Sequence, residues 1–132
     1  MIAWIFLGLV VAGLGYIRLA PSDPANWHVP VEAQSDRDFA GGALRVVPAG
    51  EQTLAKIDAA ARALDRTRVL AGSVQQGRIT YITRSLIFGF PDYTTVEQSD
   101  GQVRMLARLR FGRSDLGVNA RRLEQLVAAA KG

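Results

Sequence analysis

The sequence contains no cysteine and only one histidine, His28. Without cysteine, disulfide bonds, thiolate metal sites and a cysteine nucleophile are all excluded. One histidine is too few for a multi-histidine zinc site, and a Ser-His-Asp triad would have to recruit a residue just after the N-terminal apolar run. We therefore predict no metal site, no cofactor and no histidine-based catalytic centre.

Lysine is also scarce, since only Lys56 and Lys131 are lysines among the 16 basic side chains. A bias towards arginine favours forked contacts with carboxylate or phosphate groups, but a GC-rich genome produces the same bias. The formal net charge is +4. Because phosphate contacts dominate nucleic-acid affinity, so small an excess argues against a nucleic-acid partner.

The N-terminus carries a long apolar run. Residues Ile2–Ile17 contain no charged side chain, and Leu19 and Ala20 extend the run beyond Arg18. This length is enough to cross a hydrocarbon core of roughly 30 Å. A cleaved signal peptide is disfavoured because no basic residue precedes the run, and a buried core helix is disfavoured because every face is apolar. We predict a single-pass transmembrane anchor over residues 1–20, with the membrane as partner of residues 2–20.

The charges beside this run bear on its orientation. The N-terminal side offers only the α-amino group, whereas Arg18 and Arg37 follow the run. By the positive-inside rule this distribution places the rest of the chain on the cytoplasmic face.

The remaining residues divide by composition. Residues 21–42 are rich in proline, aspartate, serine and glycine, which is typical of an extended tether, and Trp27 and Val29 are its candidates for docking on the domain. Residues 43–132 leave room for one domain. We therefore predict an anchor, a tether over residues 21–42 and one globular domain over residues 43–132.

Hydrophobic periodicity predicts an α+β domain with an antiparallel sheet. The turn Asp100-Gly101 is a strong hairpin signal, and other strand connections are equally local. In the last strand Met105 faces one way and Arg104 the other, so only one sheet face is core and both helices gather on it. In order, we expect a strand at 43–47, a helix at 51–65, strands at 68–73, 78–84, 93–98 and 102–111, and a helix at 119–131 with Asn119 as its N-cap.

Two motifs stand in the second half of the chain, Phe88-Gly89-Phe90-Pro91-Asp92-Tyr93 and the segment ARLRFGRSDLGVN over residues 107–119. In combination they resemble the bacterial and chloroplast family catalogued as domain of unknown function 1499, over roughly residues 43–130. That family has no established activity. Similar members commonly begin with a membrane helix or a lipoprotein signal, so the resemblance implies a periplasmic domain, with the cytoplasmic face as the alternative.

Arginines of the second motif lead into a turn before the last helix, where free backbone N–H groups favour an anion. This pattern makes Arg108, Arg110, Arg113, Ser114, Asp115 and Asn119 candidate ligand-binding residues, and Arg84 is added because it ends a strand that we expect to reach the same end of the sheet. A structural interpretation is favoured over it: Ser114, Asp115 and Asn119 hold the turn by side-chain hydrogen bonds, and Arg113 pairs with Asp92. Gly112 and Gly117 would then supply positive φ.

The first motif offers a possible pocket formed by Phe88, Phe90, Asp92 and Tyr93, although aromatic residues beside a strand more often complete a core. The leading hypothesis is a noncatalytic binding domain for an anionic lipid, an envelope protein or another cell-envelope component. One alternative is a hydrolase-like enzyme that uses Asp92, Asp115 and Ser114, disfavoured because no nucleophile with a positioned partner is evident. Another is a structural subunit of a membrane complex that presents an exposed Leu106.

Overall fold

The chain forms one antiparallel sheet with two helices packed on one face and an apolar helix at its N-terminus. A computed structural model describes all residues, Met1–Gly132. The α+β class is confirmed, and α2 and β1 are elements that the sequence did not predict. The elements are α1 (Ile2–Leu19), α2 (Pro24–Trp27), β1 (Arg37–Phe39), β2 (Gly42–Pro48), α3 (Thr53–Arg62), β3 (Thr67–Ser73), β4 (Arg78–Arg84), β5 (Pro91–Ser99), β6 (Gln102–Leu109) and α4 (Val118–Lys131).

The six strands lie in the order β1-β2-β6-β5-β4-β3, and every neighbouring pair is antiparallel. After β2 the chain passes through α3 to β3, at the far edge of the sheet. Local turns then connect β3, β4, β5 and β6, and β6 pairs with β2. Asp100 and Gly101 have φ values of 54° and 75°, as the predicted tight hairpin requires. At the β3 edge Leu70 is an extra residue, because Val69 pairs with Tyr81 while Ala71 pairs with Thr80.

The core lies between the sheet and the two helices, α3 and α4. α3 buries Leu54, Ile57 and Ala61, which are three and four positions apart and so share one helix face, and α4 buries Leu123 and Leu126. They pack on the sheet residues Ala43, Val47, Ile79, Tyr81, Val96, Val103, Met105 and Ala107. Full burial of a large apolar side chain contributes about 1.5–3 kcal/mol, so this layer holds both helices on one face of the sheet.

The start of α4 differs from the prediction. The N-cap is Gly117, with φ at 81°, and the side chain of Asn119 is not a cap but fully buried. The backbone N–H of Asn119 donates instead to the carboxylate of Asp115, at 3.1 Å. The prediction of Asn119 as N-cap is wrong because an acidic residue earlier in the turn supplies the capping oxygen.

The second face of the sheet is covered by the segment that follows α1. The Trp27 ring stacks on Tyr93 with centroids 3.9 Å apart, and the N–H of Val31 donates to Glu97 at 2.9 Å. Residues 21–33 therefore pack on this face of the sheet, because an aromatic ring gains more from this apolar surface than from solvent. Leu106 on this face is half-buried, so the expectation that it is exposed is wrong. The division into anchor, tether and domain stays a prediction.

α1 is long and apolar enough to cross a membrane, with a mean hydropathy of 2.0 over its 18 residues and none of them buried. It meets the domain only through its last turn. Arg84 Nη1 donates to the carbonyl of Ile17 at 3.3 Å, and Tyr16 contacts Phe111 edge to face at 6.1 Å between centroids. We call this end of the sheet the α1 end. The opposite, distal end carries the turns at residues 74–77 and 100–101.

Candidate functional site

A cavity of about 550 Å³ opens at the α1 end of the sheet, between the ends of β4, β5 and β6 and the start of α4. Five residues predicted for the site or the pocket lie together in its wall: Arg84, Phe90, Asp92, Ser114 and Asp115. Other lining residues are the basic Arg66 and Arg122, the apolar Leu86, Leu109, Phe111 and Val118, and Thr83, Ser85 and Gly112.

Asp92 is held between β5 and α4 by two residues of the helix. Its Oδ2 accepts from Asn119 Nδ2 at 3.2 Å and lies 3.5 Å from Arg122 Nη1. Arg122 also donates to Asn119 Oδ1, which closes a triangle of polar contacts. Burial raises the pKa of Asp92 above its ordinary value, although the charge of Arg122 opposes this shift. Burial likewise lowers the pKa of Arg122.

The predicted pairing of Arg113 with Asp92 is wrong. Arg113 lies exposed on the turn between β6 and α4, and Arg122 occupies the place beside Asp92. Arg122 was not predicted as a site residue. A signal existed, because Asn119 and Arg122 are three positions apart and therefore share one face of the helix.

Asp115 and Ser114 hold the turn before α4, as the structural interpretation predicts. Asp115 accepts from the N–H groups of Gly117 and Asn119 at 2.9 and 3.1 Å, and Ser114 Oγ accepts from Leu116 N–H at 3.3 Å. Gly112 and Gly117 adopt φ values of 101° and 81°. The carboxylate of Asp115 thus takes the place that an anion would take at this helix N-terminus.

Arg66 and Arg84 form the basic side of the cavity. Arg84 Nη1 donates to the carbonyl of Gly89 at 2.9 Å, so part of its guanidinium is engaged. Arg66 is exposed with φ at 54°, and its Nε donates to the carbonyl of Arg84 at 3.0 Å. The two Nη groups of Arg66 make no hydrogen bond within the chain and remain available to a ligand. No sequence signal marked Arg66, which lies between α3 and β3.

The sheet separates Arg108 and Arg110 from this cavity. The guanidinium of Arg108 lies 4.7 Å from the centre of the Trp27 ring, and Arg110 Nη1 donates to the Tyr93 hydroxyl at 3.1 Å and to Pro21 O at 3.0 Å. Both arginines therefore hold the segment after α1 onto the second face. Tyr93 is buried on that face, so the four residues that were predicted to form a pocket do not all lie on one side of the sheet.

Phe88 lies outside the cavity wall. Its ring is about half exposed and contacts Phe90 edge to face, with 5.9 Å between centroids. Of the four residues predicted to form a pocket, Phe90 and Asp92 line the cavity. Backbone spacing explains the division, because Asp92 and Tyr93 are neighbours on a strand and point to opposite faces.

A family model described as "Protein of unknown function (DUF1499)" matches residues 17–129. The match covers the cavity and also the segment that joins α1 to the sheet. No curated protein matches the chain significantly.

Proposed function

The chain belongs to the DUF1499 family of proteins of unknown function, and from its own geometry we propose a membrane-anchored, noncatalytic binding domain whose cavity takes an anionic group. The observation that carries the proposal is a difference between the charged side chains of the cavity in their hydrogen bonds within the chain. Asp92 and Asp115 both have partners within the chain, whereas Arg66, which also lines the cavity, forms a hydrogen bond only through its Nε. An incoming anion would therefore meet a guanidinium whose two terminal nitrogens are free to donate.

The apolar part of the wall narrows the class of ligand. Leu86, Phe90, Leu109 and Phe111 lie beside the arginines, so the cavity offers apolar surface next to positive charge. That combination suits an amphiphile with an anionic head. Because the cavity opens at the end where α1 joins the domain, we take the ligand to be an anionic lipid or a lipid-linked component of the cell envelope.

The domain is proposed to lie in the periplasm, with α1 as its single-pass anchor. Support comes from the resemblance to family members that begin with a membrane helix or a lipoprotein signal. A C-terminal alkaline phosphatase fusion tests the side, since this reporter folds only where disulfides form. Activity of the fusion supports the periplasm, and an inactive fusion that is present in the membrane supports the cytoplasmic face.

Binding is tested with the full chain in neutral detergent micelles and a short-chain anionic lipid, dihexanoyl phosphatidylglycerol, added below its micelle concentration. Arg66→Glu should weaken binding at least about tenfold, equivalent to about 1.4 kcal/mol. The matched control is Arg37→Glu, the same change of charge at an exposed residue of β1, away from the cavity wall. Two further titrations show which part of the lipid is bound. Dihexanoyl phosphatidylcholine has the same acyl chains without a net charge, and inorganic phosphate has the negative charge without acyl chains. Equal affinities of the two variants would refute this site.

Catalysis is a second candidate, favoured by one observation: Asp92 lines a cavity and its pKa is raised, as in a general acid. Ser114 lies in the same wall, but its Oγ accepts from Leu116 N–H and makes no hydrogen bond with a basic group. Hydrolysis of nitrophenyl esters and phosphates by the full chain, lost in Asp92→Asn, would support an enzyme. A rate of hydrolysis equal to that in buffer alone would refute a catalytic function.

A further inference from the structure

The connection between β4 and β5 exposes a row of apolar side chains. Leu86 and Ile87 are each 72% exposed and Phe88 is 48% exposed. Outside residues 1–19, the large hydrophobic side chains that are exposed all lie at the α1 end. They are Leu86, Ile87 and Phe88 in the turn between β4 and β5, Leu116 in the turn before α4, and Val118 at the first position of α4. Exposed apolar residues scattered at random need no explanation, but a patch at one end of a fold marks an interaction surface.

This row is joined directly to the last turn of α1. Arg18 Nη2 donates to the carbonyl of Ile87 at 3.0 Å. Arg84 Nη1 bridges the carbonyls of Ile17 and Gly89, at 3.3 and 2.9 Å. Ile87 therefore lies at the same level as Ile17 and Arg18, where α1 would leave the hydrocarbon for the headgroups.

The backbone of the turn is suited to an apolar surrounding. The N–H of Ser85 donates to Phe90 O at 3.0 Å, and the N–H of Gly89 donates to Ser85 O at 3.2 Å. The N–H of Phe90 donates to Ser85 Oγ at 2.9 Å. Residues 85–90 carry no charged side chain. A turn without charged side chains, whose flanks are joined by hydrogen bonds, enters the interface without the cost of desolvating a charge.

We propose that Leu86-Ile87-Phe88 is a membrane-docking loop that inserts into the interfacial layer of the bilayer crossed by α1. The loop and α1 then form two points of attachment, which fix the tilt of the domain on the membrane. Leu86 also lines the cavity, so docking holds the cavity mouth at the depth of the lipid headgroups. The inference rests on the anchoring role of α1 and is independent of what the cavity binds.

The absence of native cysteine allows single labels to test this loop in the full chain. Ile87→Cys, Gln75→Cys and Val10→Cys are each labelled with the fluorophore NBD and reconstituted into phosphatidylcholine–phosphatidylglycerol vesicles. Gln75 is the matched control, since it is an exposed residue in a turn at the distal end. Val10 lies in α1 and reports on the anchor. Lipid carrying a nitroxide near the headgroup and aqueous iodide serve as quenchers.

We expect the Ile87 label to be quenched at least about threefold more strongly by the nitroxide lipid than the Gln75 label, and to be shielded from iodide. One result would overturn the docking loop and leave the anchor standing. In that result the nitroxide lipid quenches the Val10 label, and iodide quenches the Ile87 label as strongly as the Gln75 label. An Ile87 label shielded from both quenchers would also overturn it, because a second copy or a protein partner would then cover the row. Val10 open to iodide would refute the anchor and the loop together.

Discussion

Arg122 Nη1 lies 3.5 Å from Asp92 Oδ2, and the two side chains retain only 12% and 17% of their exposure. This pair fixes α4 to the first residues of β5, at the edge of the cavity. Asn119, fully buried, contacts both members and completes the link. A pair so placed affects the stability of the fold and the charge of the proposed site together.

Replacing Arg122 by methionine should leave the carboxylate of Asp92 without its cation. Breaking a buried ion pair costs about 3–5 kcal/mol, and the partial exposure of this pair lowers the expected loss to about 2–3 kcal/mol at pH 7. The measurement is denaturant unfolding of the full chain in detergent micelles. Arg121→Met, the neighbouring exposed position, is the control and should change the free energy of unfolding by less than about 0.5 kcal/mol.

The stability lost in Arg122→Met should depend on pH, because the pKa of Asp92 is raised. A carboxyl with a raised folded pKa favours folding most below its unfolded pKa, about 3.9, and this contribution disappears as the pH rises through the folded pKa. Without Arg122 the folded pKa should rise further. The Arg122→Met loss should therefore be smallest below about pH 4 and grow towards neutrality. A loss that is constant from pH 3 to pH 8 would contradict the role assigned to the pair.

Trp27→Ala should release the segment after α1 from the second face of the sheet. The substitution removes the stack on Tyr93 and the contact with Arg108, and we expect a loss of about 2–3 kcal/mol. Amide exchange provides a local measurement, because the N–H of Val31 donates to Glu97 only while the segment is docked. Trp27→Phe should keep most of this protection. Unchanged exchange at Val31 in the alanine variant would show that the tryptophan does not hold the segment.

Tyr81→Phe should cost about 1–2 kcal/mol, since the buried hydroxyl donates to Asp58 Oδ1 at 2.5 Å. A double-mutant cycle with Asp58→Ala isolates the bond. Burial raises the pKa of Tyr81, so the wild-type protein should lose stability above about pH 10 as the unfolded state ionises first. The phenylalanine variant should lose less over that range. A coupling energy of zero would contradict the importance of the bond.

Gly42→Ala should disrupt the pairing of β2 with β6. A Cβ at this position would lie 2.1 Å from the carbonyl oxygen of Ala107, which belongs to the backbone and has little room to move. We expect a loss of about 3 kcal/mol or failure to fold, as for severe overpacking. Gly50→Ala is the control, because its nearest atom would be Thr53 Oγ1 at 3.5 Å. Equal stability of the two variants would show that the strands separate without cost.

Regular periodicity predicted α3, α4 and the long strands, and it did so because each of them buries one face. The spacing of Leu54, Ile57 and Ala61 defines α3 in sequence and in structure. The short elements α2 and β1 were not predicted, because each has too few residues to show a hydrophobic periodicity. A local signal for α2 was nevertheless present: Asp23 caps its N-terminus by accepting from Ala25 N–H at 2.9 Å, and Pro24 occupies the first turn.

The site was predicted less well than the fold because it joins distant parts of the chain. Neighbours in sequence share a motif but not a surface, and Arg110 and Ser114 lie on different sides of the sheet. Conversely, Arg66 reaches the cavity from a segment that carries no motif, and Arg122 lies three positions after Asn119, the last residue of the segment 107–119. Only the orientation of α4 on the sheet decides which basic residue meets Asp92, and a single sequence does not encode that orientation in any short pattern.

The outer side of β3 has a consequence for neighbouring copies of the chain. No strand lies beyond β3, yet its hydrogen-bonding edge is irregular, because Leu70 is an extra residue and Gly72 has φ at 88°. An interrupted edge is a poor template for another strand. If α1 confines the molecules to one plane of lipid, where collisions between aligned sheets are frequent, this irregularity keeps crowded copies from joining into continuous ribbons.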